Sequence, residues 1–381
     1  MLKQDKTKEG TGGAHPSSGI RKRALWTVVF ILIAVLTVWA VTSETKSFSF
    51  GSFLDFLSNL HLGWMLAAFA AMLLYVFFEG AALLTICRSL GHPRSLGCGY
   101  GYSAADIYFS AITPSATGGQ PASAFLMMRD GIPGSIVTVS LLVNLIMYTF
   151  SIIILGLVAF LFAPSIFTKF SFASKVLIVV GVAAQAGLAV IFILLLKRAS
   201  ILRFIGNKLL SLLSRLRLIR RAERKRERLN NAIDSYEKCA ALVGKRRSML
   251  ARALLYNVLQ RGTLIAVTVF VFLAANGAPT LSLDVWSAEC MVVLGSNYVP
   301  IPGAMGVADG LMLDVFGNLL GDSVMATNLE LLSRSVSFYL CVILCGVSFL
   351  FACTRRSIHA KQQKKREDTM AEETNAASEE D

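Results

Sequence analysis

The sequence predicts an all-α protein, a polytopic membrane helix bundle with about six spans and two Pro/Gly-broken re-entrant hairpins in an inverted arrangement. Of 381 residues, 55% are hydrophobic and only 16% are charged, which is too apolar for an ordinary soluble domain. Apolar runs of about 20 residues, each able to cross roughly 30 Å of hydrocarbon as a helix, recur along the chain. The net charge of +13 is concentrated in a few segments, and these segments orient the runs.

The apolar runs that we predict to span the membrane are Ala24–Thr42, Leu62–Cys87, Gly134–Phe162, Ser174–Leu196, Leu250–Ala275 and Leu331–Cys353. The first follows three basic residues, as the core of a cleaved signal peptide does. Its apolar stretch is longer than an ordinary signal core, and no small-residue cleavage site follows it cleanly. We therefore expect it to be a retained anchor.

Three basic segments predict the topology and the domain organisation. They are a leader (1–23), a loop (198–249) inside the membrane domain (24–353), and a charged tail (354–381). By the positive-inside rule all three lie in the cytoplasm, together with both termini. The connections 43–61, 164–173 and 276–284 carry few basic residues, so we expect them outside.

Two further apolar stretches, Tyr102–Arg129 and Val285–Gly317, are interrupted by Pro and Gly. Each must leave the bilayer on the side that it entered, because otherwise the basic segments would fall on the wrong face. The first then enters from the cytoplasm and the second from outside, as in inverted-repeat transporters with a central site. The alternative is a pair of ordinary kinked helices, which the density of breakers in TPSATGGQP disfavours.

Each broken stretch is predicted to leave a helix N-terminus inside the membrane. In the first stretch the break begins at Thr113-Pro114, turns at Gly118-Gly119, and opens a new helix at Gln120. In the second stretch Pro302, Gly303 and Gly306 precede a helix that carries Asp309. Free N–H groups at such N-termini favour a phosphate or a carboxylate.

Charged residues near the breaks are candidate ligands because an unpaired charge in hydrocarbon is costly. Arg129 either pairs with a phosphodiester or snorkels to the cytoplasmic face. Glu79, well inside an apolar run, indicates a polar cavity or a partner such as Arg129. Asp309 either binds a cationic head group or caps its helix. The weaker candidates are Asp106, Asn144, Glu289, Asn297 and Arg334.

The composition favours no metal site and no cofactor. None of the seven cysteines forms a Cys-x-x-Cys pair, and the four histidines lie outside the apolar runs. Within the basic loop, residues 201–219 alternate Leu and Ile with Arg and Lys, as a helix on an anionic inner leaflet does. Such a helix could instead hold a cytosolic protein, whereas the lack of interleaved aromatic residues argues against nucleic acid.

The segments TPSATGGQPASAF, from Thr113, and PIPGAMGVADG, from Pro300, resemble the two signatures of the lysylphosphatidylglycerol synthase transmembrane family. This family includes the membrane half of bacterial multiple peptide resistance factors and stand-alone relatives. The resemblance covers about Leu25 to Cys353. Ala304 stands where the family usually has glycine, and Asp309 where it usually has glutamate, so the carboxylate is kept with a shorter reach.

The resemblance implies a multi-pass protein of the bacterial cell membrane that translocates an anionic or aminoacylated phospholipid such as lysyl-phosphatidylglycerol. Because a short charged tail follows Cys353, we expect no counterpart of the soluble synthase domain of full-length members. The alternative is a phosphatidylglycerol lysyltransferase or its membrane subunit, acting with a cytosolic synthase partner and contributing to resistance to cationic antimicrobial peptides. A third hypothesis is an assembly factor. The predicted substrate-binding residues are Glu79, Thr113, Pro114, Gly118, Gly119, Gln120, Arg129, Pro302, Gly303, Gly306 and Asp309.

Overall fold

The computed structural model describes residues 55–113, 117–215, 222–244, 246–299, 301, 304 and 306–356, and within them the regular structure is helical. The helices are α1 (Leu62–Ser89), α2 (Leu96–Ile112), α3 (Gly119–Arg129), α4 (Gly134–Phe162), α5 (Pro164–Lys169), α6 (Phe172–Lys197), α7 (Ala199–Arg215), α8 (Ala222–Gly244), α9 (Arg247–Ala274), α10 (Ser282–Ser296), α11 (Val307–Leu320) and α12 (Ser323–Arg356). Helix α12 contains a π-helical turn, Ser335–Leu340.

Five of the described helices, α1, α4, α6, α9 and α12, are long and apolar enough to cross a membrane. They correspond to the last five predicted spans, while Ala24–Thr42 lies outside the described residues. Helix α12 begins at Ser323, before the predicted start at Leu331. Its first turns are polar, so the hydropathy of the sequence did not include them in the span. Asp322 caps this end by accepting hydrogen bonds from two backbone N–H groups, and the protein interior buries Asn328 and Glu330.

Helix α1 runs antiparallel to α9 through the middle of the bundle. The His61 N–H donates to the Ala274 carbonyl at 2.8 Å, which ties the start of α1 to the end of α9. Ala68 and Met72 of α1 pack in the same buried cluster as Val267 and Val271 of α9. Large apolar side chains on the outer spans are exposed, as expected for helices that face lipid.

The first broken stretch, helices α2 and α3, enters and leaves at one end of the bundle. Tyr102 of α2 and Met127 of α3 share a buried cluster with Leu83 near the end of α1. The loop residue Asp130, just after α3, accepts hydrogen bonds from the Arg356 guanidinium at 2.6 and 2.7 Å. We call this end, which carries Arg356 at the end of α12, the basic face.

The second broken stretch, helices α10 and α11, enters and leaves at the opposite end. Helix α10 begins shortly after α9 ends at Ala274. The last turns of α11 return to the same end, where Asp314 Oδ2 accepts from the Ser171 N–H at 2.8 Å and Asn318 Nδ2 donates to the Lys169 carbonyl at 2.9 Å. The two hairpins therefore enter from opposite faces, which confirms the inverted arrangement.

Glycine permits the close approach of the first hairpin to α1. A Cβ atom on Gly80 would lie 2.6 Å from the carbonyl carbon and oxygen of Gly99 in α2. No side chain fits in that space, so the two helices meet backbone to backbone. Close contact of this kind is typical of membrane helices, which associate through small residues rather than by the hydrophobic effect.

The basic loop folds into a pair of packed helices, α7 and α8. Arg203 of α7 forms a salt bridge with Asp234 of α8, and the Tyr236 hydroxyl donates to the Leu195 carbonyl at 3.0 Å, which attaches α8 to α6. Burial raises the pKa of Tyr236 to about 12. Phe204 and Ile205 of α7 are exposed. That this loop contacts an anionic leaflet remains a prediction.

We expect Gly80→Ala to lower the melting temperature of the purified protein in detergent. Its new methyl group would collide with backbone rather than with a flexible side chain, and overpacking of this kind costs about 1–3 kcal/mol. Gly187→Ala is the matched control, because a Cβ there meets nothing within 4 Å. An equal change in the two variants would contradict the packing of α1 on α2.

The contact between Asp130 and Arg356 predicts a pH-dependent contribution to stability. Partial burial alone would raise the pKa of Asp130, but hydrogen bonds from Arg356 and Tyr102 and the charges of Arg356 and Arg94 outweigh it and hold this pKa below its usual range. The contribution is therefore present above the unfolded pKa of about 3.9 and is lost as pH falls through the lower folded pKa. The melting temperature of wild type should exceed that of Asp130→Asn near neutral pH, with the difference shrinking in acid; a pH-independent difference would be inconsistent with this ion pair.

Candidate functional site

A cavity of about 570 Å³ lies where the broken ends of the two hairpins meet the long spans. Side chains from both hairpins and from α1, α4, α6, α9 and α12 line this central cavity. The charged residues among them are Glu79, Asp106, Arg261, Glu289 and Arg334. A polar chamber therefore sits inside a bundle whose outer surface is apolar.

The first hairpin contributes a carboxyl group to this cavity. Asp106 of α2 accepts hydrogen bonds from Gln120 Nε2 at 2.9 Å and from the Ser110 hydroxyl at 3.2 Å. It also hydrogen-bonds the carboxyl group of Glu79, which in turn accepts from Gln260 Nε2 at 3.3 Å. Because two carboxyl groups can hydrogen-bond only through a proton, this contact requires one of the two to be protonated.

Arg261 supplies a positive charge beside these carboxyl groups. Its guanidinium carbon lies 4.2 Å from the ring centre of Tyr148 and 5.7 Å from that of Tyr75. The Nε atom is buried and has no hydrogen-bond partner among the described residues. The ring faces stabilise the cation without occupying its N–H donors. The Nε–H of Arg261 is thus suited to an anionic group that enters the cavity.

The second hairpin contributes a different arrangement. Asp309 Oδ1 pairs with Arg334 Nε at 2.6 Å, and its Oδ2 accepts from the Gly306 N–H at 2.7 Å. Gly306 has a φ of 81°, a conformation that favours glycine. Capping by Asp309, one of its two predicted roles, is thereby confirmed. The carboxylate also forms the ion pair with Arg334, and the Glu330 carboxyl hydrogen-bonds it.

The predicted turn of the first hairpin is closed by its own side chains. The Thr113 hydroxyl donates to the Phe109 carbonyl at 2.6 Å and accepts from the Gly118 N–H at 2.9 Å. A Cβ on Gly119 would lie 2.0 Å from Asp106 Oδ1, so glycine is required there. The Gly118 N–H is consequently used within the turn, whereas Gln120 reaches the cavity. Pro114, Pro302 and Gly303 lie outside the described residues.

Arg129 lies away from the central cavity. It ends α3 at the basic face and lines a second cavity of about 800 Å³, together with Asp130, Arg355 and Arg356. The cation that neighbours Glu79 is Arg261 rather than Arg129. Glu79 does line a polar cavity, as its position in an apolar run indicated.

Sequence reasoning missed the two residues that face Glu79 from α9, Gln260 and Arg261. Arg261 interrupts the apolar run Leu250–Ala275, and an arginine inside a predicted span is itself a signal of function. The five weaker candidates all line the central cavity; they are Asp106, Asn144, Glu289, Asn297 and Arg334.

Comparison with known proteins agrees with this architecture. The family model described as the lysylphosphatidylglycerol synthase TM region matches residues 25–345, which include both hairpins and end within α12. A UPF0104 membrane protein of Pyrococcus horikoshii is 23% identical over 257 residues, which are 64% of this chain and 73% of that protein.

The two arginines of the cavity should differ in their effect on stability. Arg334→Gln leaves Asp309 buried without its cation, and breaking a buried pair in this way costs about 3–5 kcal/mol. Arg261→Gln removes ring-face contacts worth roughly 2 kcal/mol, and the carboxyl pair beside it can offset the lost positive charge by binding a further proton. We expect a larger fall in melting temperature for Arg334→Gln, with partial recovery in the double variant Arg334→Gln, Asp309→Asn. A larger fall for Arg261→Gln would refute this assignment.

Proposed function

The chain belongs to the lysylphosphatidylglycerol synthase transmembrane family and is a multi-pass membrane protein, and on this basis we propose that it moves a phospholipid across the bilayer. The lipid is anionic or aminoacylated, with lysyl-phosphatidylglycerol as the example that the family suggests. The observation that supports this proposal is the central cavity, where the buried Nε of Arg261 has no hydrogen-bond partner among the described residues and lies among buried carboxyl groups.

A translocator must lower the cost of moving a charged head group through hydrocarbon. Moving a polar group without partners out of water costs several kcal/mol of free energy, and moving a charged group costs more. The cavity offers substitute partners at the depth where the two hairpins break. The acyl chains need no such partners, because they remain in the lipid beside the bundle.

The charges of the cavity suit a head group that contains both signs. A phosphate meets Arg261, whose guanidinium can bind two phosphate oxygens at once. An ammonium group meets Glu289 or the pair formed by Glu79 and Asp106. Arg334 is less suited to the phosphate because it is already paired with Asp309. In this proposal Arg261 takes the role that the turn N–H of Gly118 was expected to fill.

In this proposal Arg129 contacts the lipid at the basic face, before the head group reaches the central cavity. It lines the second cavity at the basic face with Arg355 and Arg356, next to the exposed apolar side chains Val347 and Phe351. A phosphate at this face would meet the arginines while an acyl chain contacts the apolar wall. If the basic face is cytoplasmic, as the charge distribution predicts, lipid enters here from the inner leaflet.

Lipid movement in reconstituted vesicles tests the proposal. In phosphatidylcholine vesicles, fluorescent phosphatidylglycerol from the inner leaflet should move to the outer leaflet and be quenched there by a membrane-impermeant quencher when wild type is present, and much more slowly without protein. Arg261→Gln should slow movement about 10- to 100-fold, because a hydrogen bond to a charged group contributes about 1.5–3 kcal/mol. Arg261→Lys, which keeps the charge, should retain more activity than Arg261→Gln.

Arg203→Gln is the control, since Arg203 pairs with Asp234 in the basic loop and lies outside the cavity. Folding of each variant is checked by its melting temperature before reconstitution. Wild-type rates in folded Arg261→Gln would exclude Arg261 as the phosphate ligand. Equal rates in vesicles with and without wild-type protein would exclude lipid movement altogether.

A further inference from the structure

Glu79 and Asp106 form a buried carboxyl pair inside the bundle. Their side chains belong to residues that are 8% and 5% exposed, and the two carboxyl groups hydrogen-bond each other. A hydrogen bond between two carboxyl groups needs at least one proton, and a pair that holds one proton carries one negative charge. The charge of Arg261 balances that negative charge.

The environment of the pair contains few other ionisable groups. Those that face it from the packed helices are Tyr75 on α1, Tyr148 on α4, Arg261 on α9, and Cys341 and Cys345 on α12. Arg261 is the cation of this group. The number of protons on the pair therefore depends on whether the positive charge of Arg261 balances the pair or is engaged by another anion.

Amide side chains beside the pair can serve more than one protonation state. Gln260 is 1% exposed; its Nε2 donates to Glu79, and its buried Oε1 has no hydrogen-bond partner among the described residues. An amide that turns about its last bond exchanges donor for acceptor. Gln260 can thus donate to an ionised Glu79 or accept from a protonated one. Gln120, which donates to Asp106, can do the same on the other side.

We propose that the Glu79–Asp106 pair is a proton-binding site coupled to head-group binding. This inference rests on the proposed function. When a phosphate binds Arg261, the phosphate and the pair together carry two negative charges against one positive charge. A proton from cavity water then forms a second O–H bond on the ionised carboxyl and restores neutrality. It returns to water when the phosphate leaves, so each lipid that enters the site carries a proton with it.

Proton uptake can be measured on the intact wild-type protein. The probe is dioctanoyl phosphatidylglycerol, titrated calorimetrically into detergent-solubilised protein at about pH 7 in buffers of different ionisation enthalpy. The apparent binding enthalpy should vary linearly with the buffer enthalpy, with a slope that corresponds to uptake of up to about one proton per lipid. A zero slope with normal binding would overturn the proton site and leave lipid recognition intact. Absence of binding would overturn both proposals.

Variants assign the uptake to the pair. The double variant Glu79→Gln, Asp106→Asn removes both carboxyl groups while keeping the shapes of the side chains, and it should bind lipid with a slope near zero. Each single variant keeps one ionisable carboxyl beside Arg261 and should keep part or all of the slope. Glu237→Gln, which removes an exposed carboxyl of α8, should keep the wild-type slope. A wild-type slope in the double variant Glu79→Gln, Asp106→Asn would place the proton elsewhere and refute the proposal.

A gradient experiment extends the test to movement. In vesicles that contain wild-type protein, an imposed pH gradient should bias the transbilayer distribution of labelled phosphatidylglycerol toward the alkaline side. A sodium gradient at constant pH should have no effect. Lipid movement that responds to sodium but not to pH would contradict proton coupling while supporting the translocator itself.

Discussion

Compensation of buried charge is the constraint on which the other features of this protein depend. A charged side chain inside the bilayer is tolerated only when another group or water balances it. For Asp309 and Glu79 the described bundle follows this rule through contacts between side chains at different positions along the chain. Asp309 pairs with Arg334, and Glu79 contacts Asp106 and Gln260. These contacts lie close together because both hairpins break near the middle of the bundle. The central cavity forms there as a consequence of how the charges are balanced.

The two hairpins are similar in topology but differ in how firmly they hold their carboxylates. Asp309 is held by an arginine and by the N-terminus of its own helix, and the Glu330 carboxyl hydrogen-bonds it as well. Asp106 is held by an amide, a hydroxyl and another carboxyl, all of which can exchange donors for acceptors. The Asp309 side therefore has its cation bound directly, whereas Arg261 only neighbours Asp106 and Glu79, which suits that side to a change of charge. This asymmetry is the physical basis for assigning substrate and proton to the neighbourhood of Arg261.

The turn of the first hairpin shows why a motif alone can mislead about ligands. Its Gly-Gly element suggested free N–H groups for a phosphate, yet the Gly118 N–H is satisfied by Thr113 within the turn. The second glycine is needed for close approach, since any Cβ on Gly119 would overlap Asp106. The motif thus brings Asp106 and Gln120 together, and the anion-binding group comes from Arg261 on another helix.

The sequence by itself determined the class of fold, the described spans and the inverted hairpins, because hydropathy, chain breakers and basic segments are local properties that the bilayer acts on directly. It also indicated Glu79 and Asp309 as buried carboxyl groups with a role. Only the tertiary structure decided their partners. Glu79 lies 181 residues from Gln260, and Asp130 lies 226 residues from Arg356. No local pattern encodes such pairings, because they arise from the packing of whole helices against one another.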